Sequence, residues 1–406
     1  MKVLQINAVY GTGSTGRIVA EINDDLRRTG HSSIIATSQS TGASDETYII
    51  GTKVGRKIHA LLSRFSGKQA YFSTCATKQL IKWIEKEKPD IIHLHNLHAN
   101  YINLGLLLNY IKKKNISTVI TLHDCWFFTG KCTHYTEHGC YKWQEGCYDC
   151  SQLKKDNTSW FFDRTEKLWK EKKMWFKQLP NLAVIGVSDW ITNEAKKSFL
   201  KDATIVKRIY NWIDLDIFYP IEDGTKDKYN LPKDKFLILC ISAGWSESST
   251  KYKDLIELSE RLGAEERIVL IGNISESIKL PNNIIHLGYI SDTNELAKVY
   301  SCVDAYVHLS HEDTFGKVIA EAMACGTPAI VYNATACPEL IGENCGYVVE
   351  KGNIDGIIAA ILKIKEKGKN SFSSSCVQFV NENFEKNKLI EETKEVYVQL
   401  LEENKE

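Results

Sequence analysis

The sequence predicts an α/β protein made of two Rossmann-like parallel-sheet domains that face each other across a cleft. Three observations predict it. Short β-branched runs alternate with segments of helical period from one end of the chain to the other, the pattern of sheets wound by βαβ crossovers. The pattern restarts after an interruption at Tyr210 to Lys228, where YNWIDLDIFYPIEDGTKDK mixes aromatics, carboxylates, Pro and Gly without clean periodicity. The 406 residues, at about 150 per domain, leave room for two sizeable cores. Ligands of open parallel sheets bind beyond the carboxyl ends of the strands, so two such domains facing each other make a deep cleft.

In the first half the expected strands are Lys2 to Asn7, Ile91 to His95, Thr118 to His123 and Leu182 to Ser188, with helices at Gly16 to Thr29 and Lys78 to Lys88. In the second half they are Phe236 to Ser242, Ile268 to Gly272, Ile284 to Gly288, Ala305 to Ser310 and Ala329 to Tyr332. Helices at Asp254 to Leu262, Thr293 to Ser301 and Lys317 to Cys325 separate these strands. A long charged helix, about Ser373 to Glu402, closes the pattern. The expected division is 1–209, a first domain with a Cys-rich insertion near 125–150. A linker at 210–228, a second domain at 229–380 and a helix at 381–406 packing back on the first domain complete it.

Hydrophobic residues are 43% and charged residues 25% of the chain, the proportions of an ordinary globular protein. Lys+Arg and Asp+Glu balance at 51 each, which argues against nucleic acid as a partner. No apolar run approaches the length of a bilayer span. The opening MKVLQINAVY is interrupted by Gln5 and Asn7 and reads as a strand, not a signal peptide. The expected compartment is therefore cytoplasmic and reducing, with the 12 cysteines as thiols or metal ligands.

Three regions carry residues suited to chemistry. The first strand runs into GTGSTGR, Gly11 to Arg17. Gly13, Ser14 and Gly16 let the backbone approach an anion at a helix N-terminus, with Arg17 beside it; the alternative is a tight turn with Arg17 in solvent. Two strand ends carry histidines, IIHLHN and ITLHD. His93 reads as a buried structural histidine, His95 is open between the two readings, and His123, beside Asp124, favours function. In the second half, SHEDTFGKVIAEAMACGTP places Glu312 and Asp313 in a turn before a helix that starts near Phe315 and Gly316. Gly316 permits close approach to phosphate, and Glu321 suits ribose hydroxyls; first-turn charges and a solvated helix residue are the plainer alternative.

Asp313-x7-Glu321 with Phe315, Gly316 and AEAMACGTP resembles the Glu-x7-Glu signature of family 4 glycosyltransferases, retaining enzymes of GT-B fold. GSTGR, HLHN, TLHD, GVSDW, YNWIDLDIFYP and CPELI fall in the order that family expects, so the resemblance spans nearly the whole chain. It is most similar to the branch found in capsule, exopolysaccharide and O-antigen clusters, the colanic-acid-type transferases. The resemblance implies a UDP- or GDP-sugar donor, no catalytic metal, and a lipid-linked saccharide acceptor at the inner face of the cytoplasmic membrane. It implies Asp313 beside the transferring sugar, with Glu312 as its substitute if the turn is one residue longer, and His123 supporting the reaction centre. Glu321 would meet the ribose, Phe315 and Gly316 the sugar or diphosphate, and Glu339 is the "PE" carboxylate. Where the family has an Arg this chain has Trp245, leaving Lys251, helped by Arg17 or Lys317, to grip the diphosphate. A nucleotide-sugar 2-epimerase of the same fold and a non-catalytic homologue are the alternatives.

Cys132, Cys140, Cys147 and Cys150 have the type and closeness of structural zinc ligands, against the alternative of unpaired thiols. In Ser151 to Leu179, Phe161, Leu168 and Trp175 repeat at seven, as do Phe162, Trp169 and Phe176, among many lysines. That face suits peripheral contact with an anionic membrane, or docking on the first domain.

Overall fold

The computed structural model describes residues 1–39 and 47–403, so the last residues of the expected 381–406 helix lie outside it. Seven strands form the first sheet: β1 (Lys2–Asn7), β2 (Ser32–Thr37), β3 (Thr47–Ile49), β4 (Ile91–Leu94), β5 (Ser117–Leu122), β6 (Leu182–Gly186) and β7 (Ile205–Arg208). Their order is β3-β2-β1-β4-β5-β6-β7. Six form the second: β8 (Phe236–Trp245), β9 (Glu266–Ile274), β10 (Ile284–His286), β11 (Ala305–His308), β12 (Ala329–Tyr332) and β13 (Gly346–Val349), in the order β10-β9-β8-β11-β12-β13. Every pairing is parallel. Helices cover both faces of such sheets, which is why β4, β5, β6, β11 and β12 are buried along their whole length and why β6 and β12 read as unbroken apolar runs.

The strands that the sequence did not disclose are β2, β3, β7 and β13. Three of them are sheet edges. An edge strand needs no apolar residue on its open side, so IVKR and GYVV carry too little pattern to be read. The long helix expected from Ser373 to Glu402 is two, Asn370–Phe384 and Lys386–Glu403. Glu385 between them is extended and bridges to Ile213, whose N–H donates to Phe384 O at 2.9 Å. The Glu385 carboxylate then accepts from the N–H groups of Asn387 and Lys388 at 2.8 and 2.7 Å, capping the second helix.

The chain divides into two compact units: Met1–Ile209 with the segment from Ile390, and Tyr210–Leu389. In the first unit the last helix is fastened to the sheet by Tyr397, whose hydroxyl meets His93 Nδ1 at 2.7 Å, and to the helix Gly13–Arg28 by the Lys394–Asp25 ion pair at 2.9 Å. Of the aromatic stretch 151–179, only Thr165–Lys177 is helical. Leu168, Trp169 and Phe176 are buried, and so is Lys172, whose ammonium donates to Trp126 O and Thr129 O. This helix is docked on its own unit. Of the lysines expected to face lipid, Lys172 is turned inward, whereas Lys167, Lys170 and Lys177 are exposed. Among the described residues no helix is long and apolar enough to cross a membrane.

Candidate functional site

Open parallel sheets bind ligands where the strand order reverses. In the second unit that point lies between β8 and β11. Beyond their carboxyl ends a hollow of 230 Å³ is lined by Ser242, Trp245, Lys251, His308, Ser310 and Asp313, among others. Lys251 sits on the first turn of the helix Thr250–Arg261, from where its ammonium donates to the Ser242 hydroxyl. Burial lowers its pKa, and the charge of Asp313 works against that shift. Trp245, in the position where the family has an Arg, is a wall: its ring is 5.6 Å from the Lys251 ammonium, and its N–H donates to Ile271 O at 3.0 Å. Lys251 is thus the one Lys or Arg lining the hollow; Lys317 does not line it.

Asp313 is held from three sides. Its N–H donates to Thr335 Oγ1 at 2.8 Å, its carboxylate accepts from Phe315 N–H at 3.3 Å, and His308 Nε2 lies 3.5 Å from that carboxylate. The Tyr306 hydroxyl fixes His308 from below through Nδ1 at 2.8 Å. Sequence reasoning missed His308, although AYVHLS ends a strand on a histidine just as IIHLHN does. Glu312 is half-buried and does not line the hollow; its carbonyl accepts from Ser310 Oγ at 2.9 Å. Gly316 caps the helix Lys317–Ala324 at φ +85°, where a Cβ would fall 2.7 Å from Ile319 Cδ1, so glycine alone fits. The Phe315 ring is core, packed on Tyr210 and Phe384. Glu321 is buried and accepts from the Tyr300 hydroxyl at 3.2 Å. Glu339 lies half-buried on the turn Cys337–Leu340; neither carboxylate lines the hollow.

In the first unit the order reverses between β1 and β4. Asn7 joins their ends, accepting from Asn96 N–H at 3.1 Å and donating to Val9 O at 2.9 Å. The following helix is Gly13–Arg28, three residues earlier than the sequence suggested, so Gly13 and Ser14 form its exposed first turn. Gly16 is where the turn closes, with Gly11 N–H donating to its carbonyl at 2.9 Å, and a Cβ there would sit 3.0 Å from Val9 Cγ2, so a larger residue would have to push that side chain aside. Arg17 is exposed and donates to Gly13 O at 3.4 Å.

Beside that turn stands a row of imidazoles. His95 Nδ1 meets His123 Nε2 at 3.0 Å, and His95 Nε2 meets Gln5 Oε1 at 3.3 Å. His93 lies between Tyr397 and Thr121 Oγ1, each at 2.7 Å. Burial lowers His93 to about 3 and His123 to about 4, and takes His95 well below its usual value, so all three are neutral near pH 7. A neutral His123, half-buried at the strand end, offers a hydrogen bond rather than a stored proton. His98, also unforeseen, pairs with Asp124 at 2.9 Å. Burial alone would raise the Asp124 carboxyl, but His98 and the Trp126 N–H hold it below its ordinary range.

The four cysteines lie in one loop region, half-buried. Cys132 and Cys150 share a thiol hydrogen bond, and Cys147 Sγ accepts from Gly130 N–H at 3.2 Å. Among the described residues no three His, Cys, Asp or Glu side chains are grouped so as to hold a metal ion.

A family model described as Glycosyltransferase Family 4 matches residues 15–217, and one described as Glycosyl transferases group 1 matches residues 222–383. The chain is 24% identical over 271 residues to a putative colanic acid biosynthesis glycosyl transferase, WcaC, of Escherichia coli K12, covering 66% of this chain and 65% of that one. It is 23% identical over 239 residues to N-acetyl-alpha-D-glucosaminyl L-malate synthase of Bacillus anthracis, covering 55% and 61%. The chain thus spans less than two thirds of the length of these relatives. Among solved structures, sucrose-phosphate synthase from Thermosynechococcus elongatus superposes with a TM-score of 0.73 at 17% identity, over 98% of both chains. Anabaena Alr3699/HepE in complex with UDP-glucose superposes at 0.67 and 15%, over 98% of this chain and 100% of that one. The fold is GT-B.

Proposed function

We propose the function from one premise: the chain belongs to glycosyltransferase family 4. It transfers a sugar, with retention, from a nucleoside-diphosphate sugar to a lipid-linked acceptor in the assembly of a bacterial surface polysaccharide. The observation that carries this reading is the hollow at the β8/β11 reversal, where one cation, Lys251, and one carboxylate, Asp313, face the same space before a glycine-capped helix. A diphosphate suits the ammonium and the helix N-terminus, and the sugar then falls beside Asp313. HepE, which binds UDP-glucose in the same fold, supports a nucleotide-sugar donor, and the colanic-acid relative supports a polysaccharide product. Incubation with UDP- and GDP-sugars and lipid-linked saccharides, following nucleotide release, tests the reading. Release that requires acceptor supports transfer; sugar conversion without acceptor means epimerisation, and binding without turnover means a silent homologue.

Glu321 is proposed as the ribose ligand. Glu321→Ala should weaken donor binding by about 1.5 to 3 kcal/mol, the range for hydrogen bonds to a charged group. Titration calorimetry reads this directly. Tyr300→Phe removes the hydrogen bond behind Glu321 without touching the carboxylate, and should cost less. Unchanged affinity in Glu321→Ala removes it from the site.

The cysteine cluster is proposed to bind one structural zinc, which requires Cys140 and Cys147 to close on the Cys132–Cys150 pair. Two buried lysines favour it. Lys131 donates to the carbonyls of Gln152 and Leu153 and Lys172 to those of Trp126 and Thr129, with Asp156 adding negative charge near both. Buried charge needs a counter-charge, and a four-thiolate zinc centre is anionic. Elemental analysis should find one zinc per chain, lost in Cys147→Ser together with stability. No zinc, with all four thiols alkylatable in the folded protein, ends the proposal.

A further inference from the structure

The helix Lys53–Ser66 buries little of itself. Along it Val54, Ile58, Leu61, Leu62 and Phe65 are 41 to 66% exposed, at spacings of four, three, one and three that put them on one face. Its buried residues are His59 and Ser63, so the helix lies on the unit by its polar side. The stripe continues onto Phe161, 62% exposed, whose ring meets Phe65 edge-on at 5.1 Å between centroids. Contiguous exposed apolar surface of this kind marks a docking site.

Charge says what docks. From Thr47 to Ile84 the sequence holds Lys53, Arg56, Lys57, Arg64, Lys68, Lys78 and Lys82 and no Asp or Glu, in a chain whose charges otherwise balance. Lys53, Lys57 and Arg64 are exposed on the same helix as the stripe. An apolar face flanked by exposed cations suits an anionic lipid surface, where the side chains enter the acyl boundary and the cations remain among headgroups. Nucleic acid would leave the stripe in water, and a second copy of this helix would bring like charges together. Ile58 and Leu62 also line a mostly apolar hollow of 410 Å³ walled by Ile50, Phe72 and Tyr101, which gives a hydrocarbon chain a place beside the docked helix.

We infer that the Lys53–Ser66 helix, with Phe161, is the element by which this protein docks on an anionic membrane. The inference gives a place to the proposed lipid-linked acceptor and rests on that reading for its purpose, though docking is measurable without turnover. Sedimentation with vesicles of phosphatidylglycerol and phosphatidylcholine, against phosphatidylcholine alone, is the experiment, with nucleotide-sugar binding measured separately on the same protein. The wild type should bind the anionic vesicles, and less as salt rises. Leu61→Ser with Phe65→Ser, and Lys53→Glu with Lys57→Glu, should each lower binding by more than about tenfold while donor affinity stays unchanged. All four residues are exposed, and a thermal melt confirms folding. Lys170→Glu with Lys173→Glu, on the docked helix Thr165–Lys177, should have little effect. Wild type that ignores anionic vesicles, variants that bind equally, or variants whose change is in oligomeric mass each overturn the inference. Donor binding lost in the wild type would instead overturn the transferase reading and leave docking standing.

Discussion

Lys251→Ala is expected to lower kcat/KM by about a hundredfold or more while the protein folds normally. The reasoning is electrostatic. A departing nucleoside diphosphate gathers charge on its bridging oxygen, and groups that meet that charge in a water-poor site act on the transition state rather than on binding alone. A charge-assisted hydrogen bond is worth about 1.5 to 3 kcal/mol. In most layouts that load is shared between two cations. Here Trp245 fills the second place and spends its N–H on Ile271 O, so the hollow depends on one ammonium. Lys251→Arg should recover little, because a guanidinium does not fit the short reach from the helix to Ser242. Since burial lowers the Lys251 pKa, the alkaline limb of kcat/KM should begin below the ordinary lysine range and disappear in Lys251→Ala. Asp313→Asn should be comparably damaging, through both its own carboxylate and the His308 imidazole 3.5 Å away. A Lys251→Ala enzyme within threefold of wild type would mean that the diphosphate is held elsewhere.

How far this hollow could be foreseen depends on the kind of signal each residue leaves. Lys251, Asp313 and Gly316 stand where strands give way to helices, and at such junctions a cation, a carboxylate or a glycine is already unusual enough to notice. His308 also ends a strand, but AYVHLS alone does not separate it from a core histidine until Tyr306 below it and Asp313 in front are placed. His98 is similar; its partner Asp124 lies 26 residues away. The fold shows the same division. Interior strands such as β6 and β12 disclose themselves because both faces are apolar, whereas the edges β7 and β13 are settled by partners on one side only.

The aromatic repeat at seven from Phe161 to Phe176 was legible as a pattern but not as a place. Its helical part turned inward, and the exposed apolar stripe runs along Lys53–Ser66 and onto Phe161, although KVGRKIHALLSRFS carries no tryptophan and a single phenylalanine. Burial depends on what the rest of the unit offers to cover, and that information is in the tertiary structure alone. The break at Glu385 is another case: nothing in NENFEKNK forbids a continuous helix, and the pairing with Ile213, 172 residues earlier, interrupts it.

The first unit is expected to lose stability steeply as pH falls from 6.5 toward 4. Four histidines, His59, His93, His95 and His123, are held neutral by burial, with His59 and His123 lowered to about 4, His93 to about 3, and His95 well below its usual value. In the unfolded chain each titrates near 6.5. Between those values the unfolded state binds protons that the native state does not, so each histidine costs up to about 1.4 kcal/mol per pH unit, and the cost stops growing once its folded value is passed. His98 runs the other way. Asp124 raises its pKa, so its contribution is full below the unfolded value and is lost as pH rises through the folded one. Below that unfolded value both states hold the His98 proton, so it adds no slope there, and the four neutral histidines together give at most about 5.5 kcal/mol per pH unit. Set against a typical domain stability of about 5 to 15 kcal/mol, that brings unfolding within reach before the carboxylates matter. Asp25, Asp124 and Asp163, lowered by their partners, add their own loss only below the ordinary carboxylate value. Chemical denaturation followed at a series of pH values measures the slope. His93→Gln keeps a hydrogen-bonding side chain between Tyr397 and Thr121 but removes the titration, and should flatten the slope by about one proton whatever it does to stability at pH 7. Stability that stays level from pH 7 to 4.5 would mean that these imidazoles are reached by water and protonate in place.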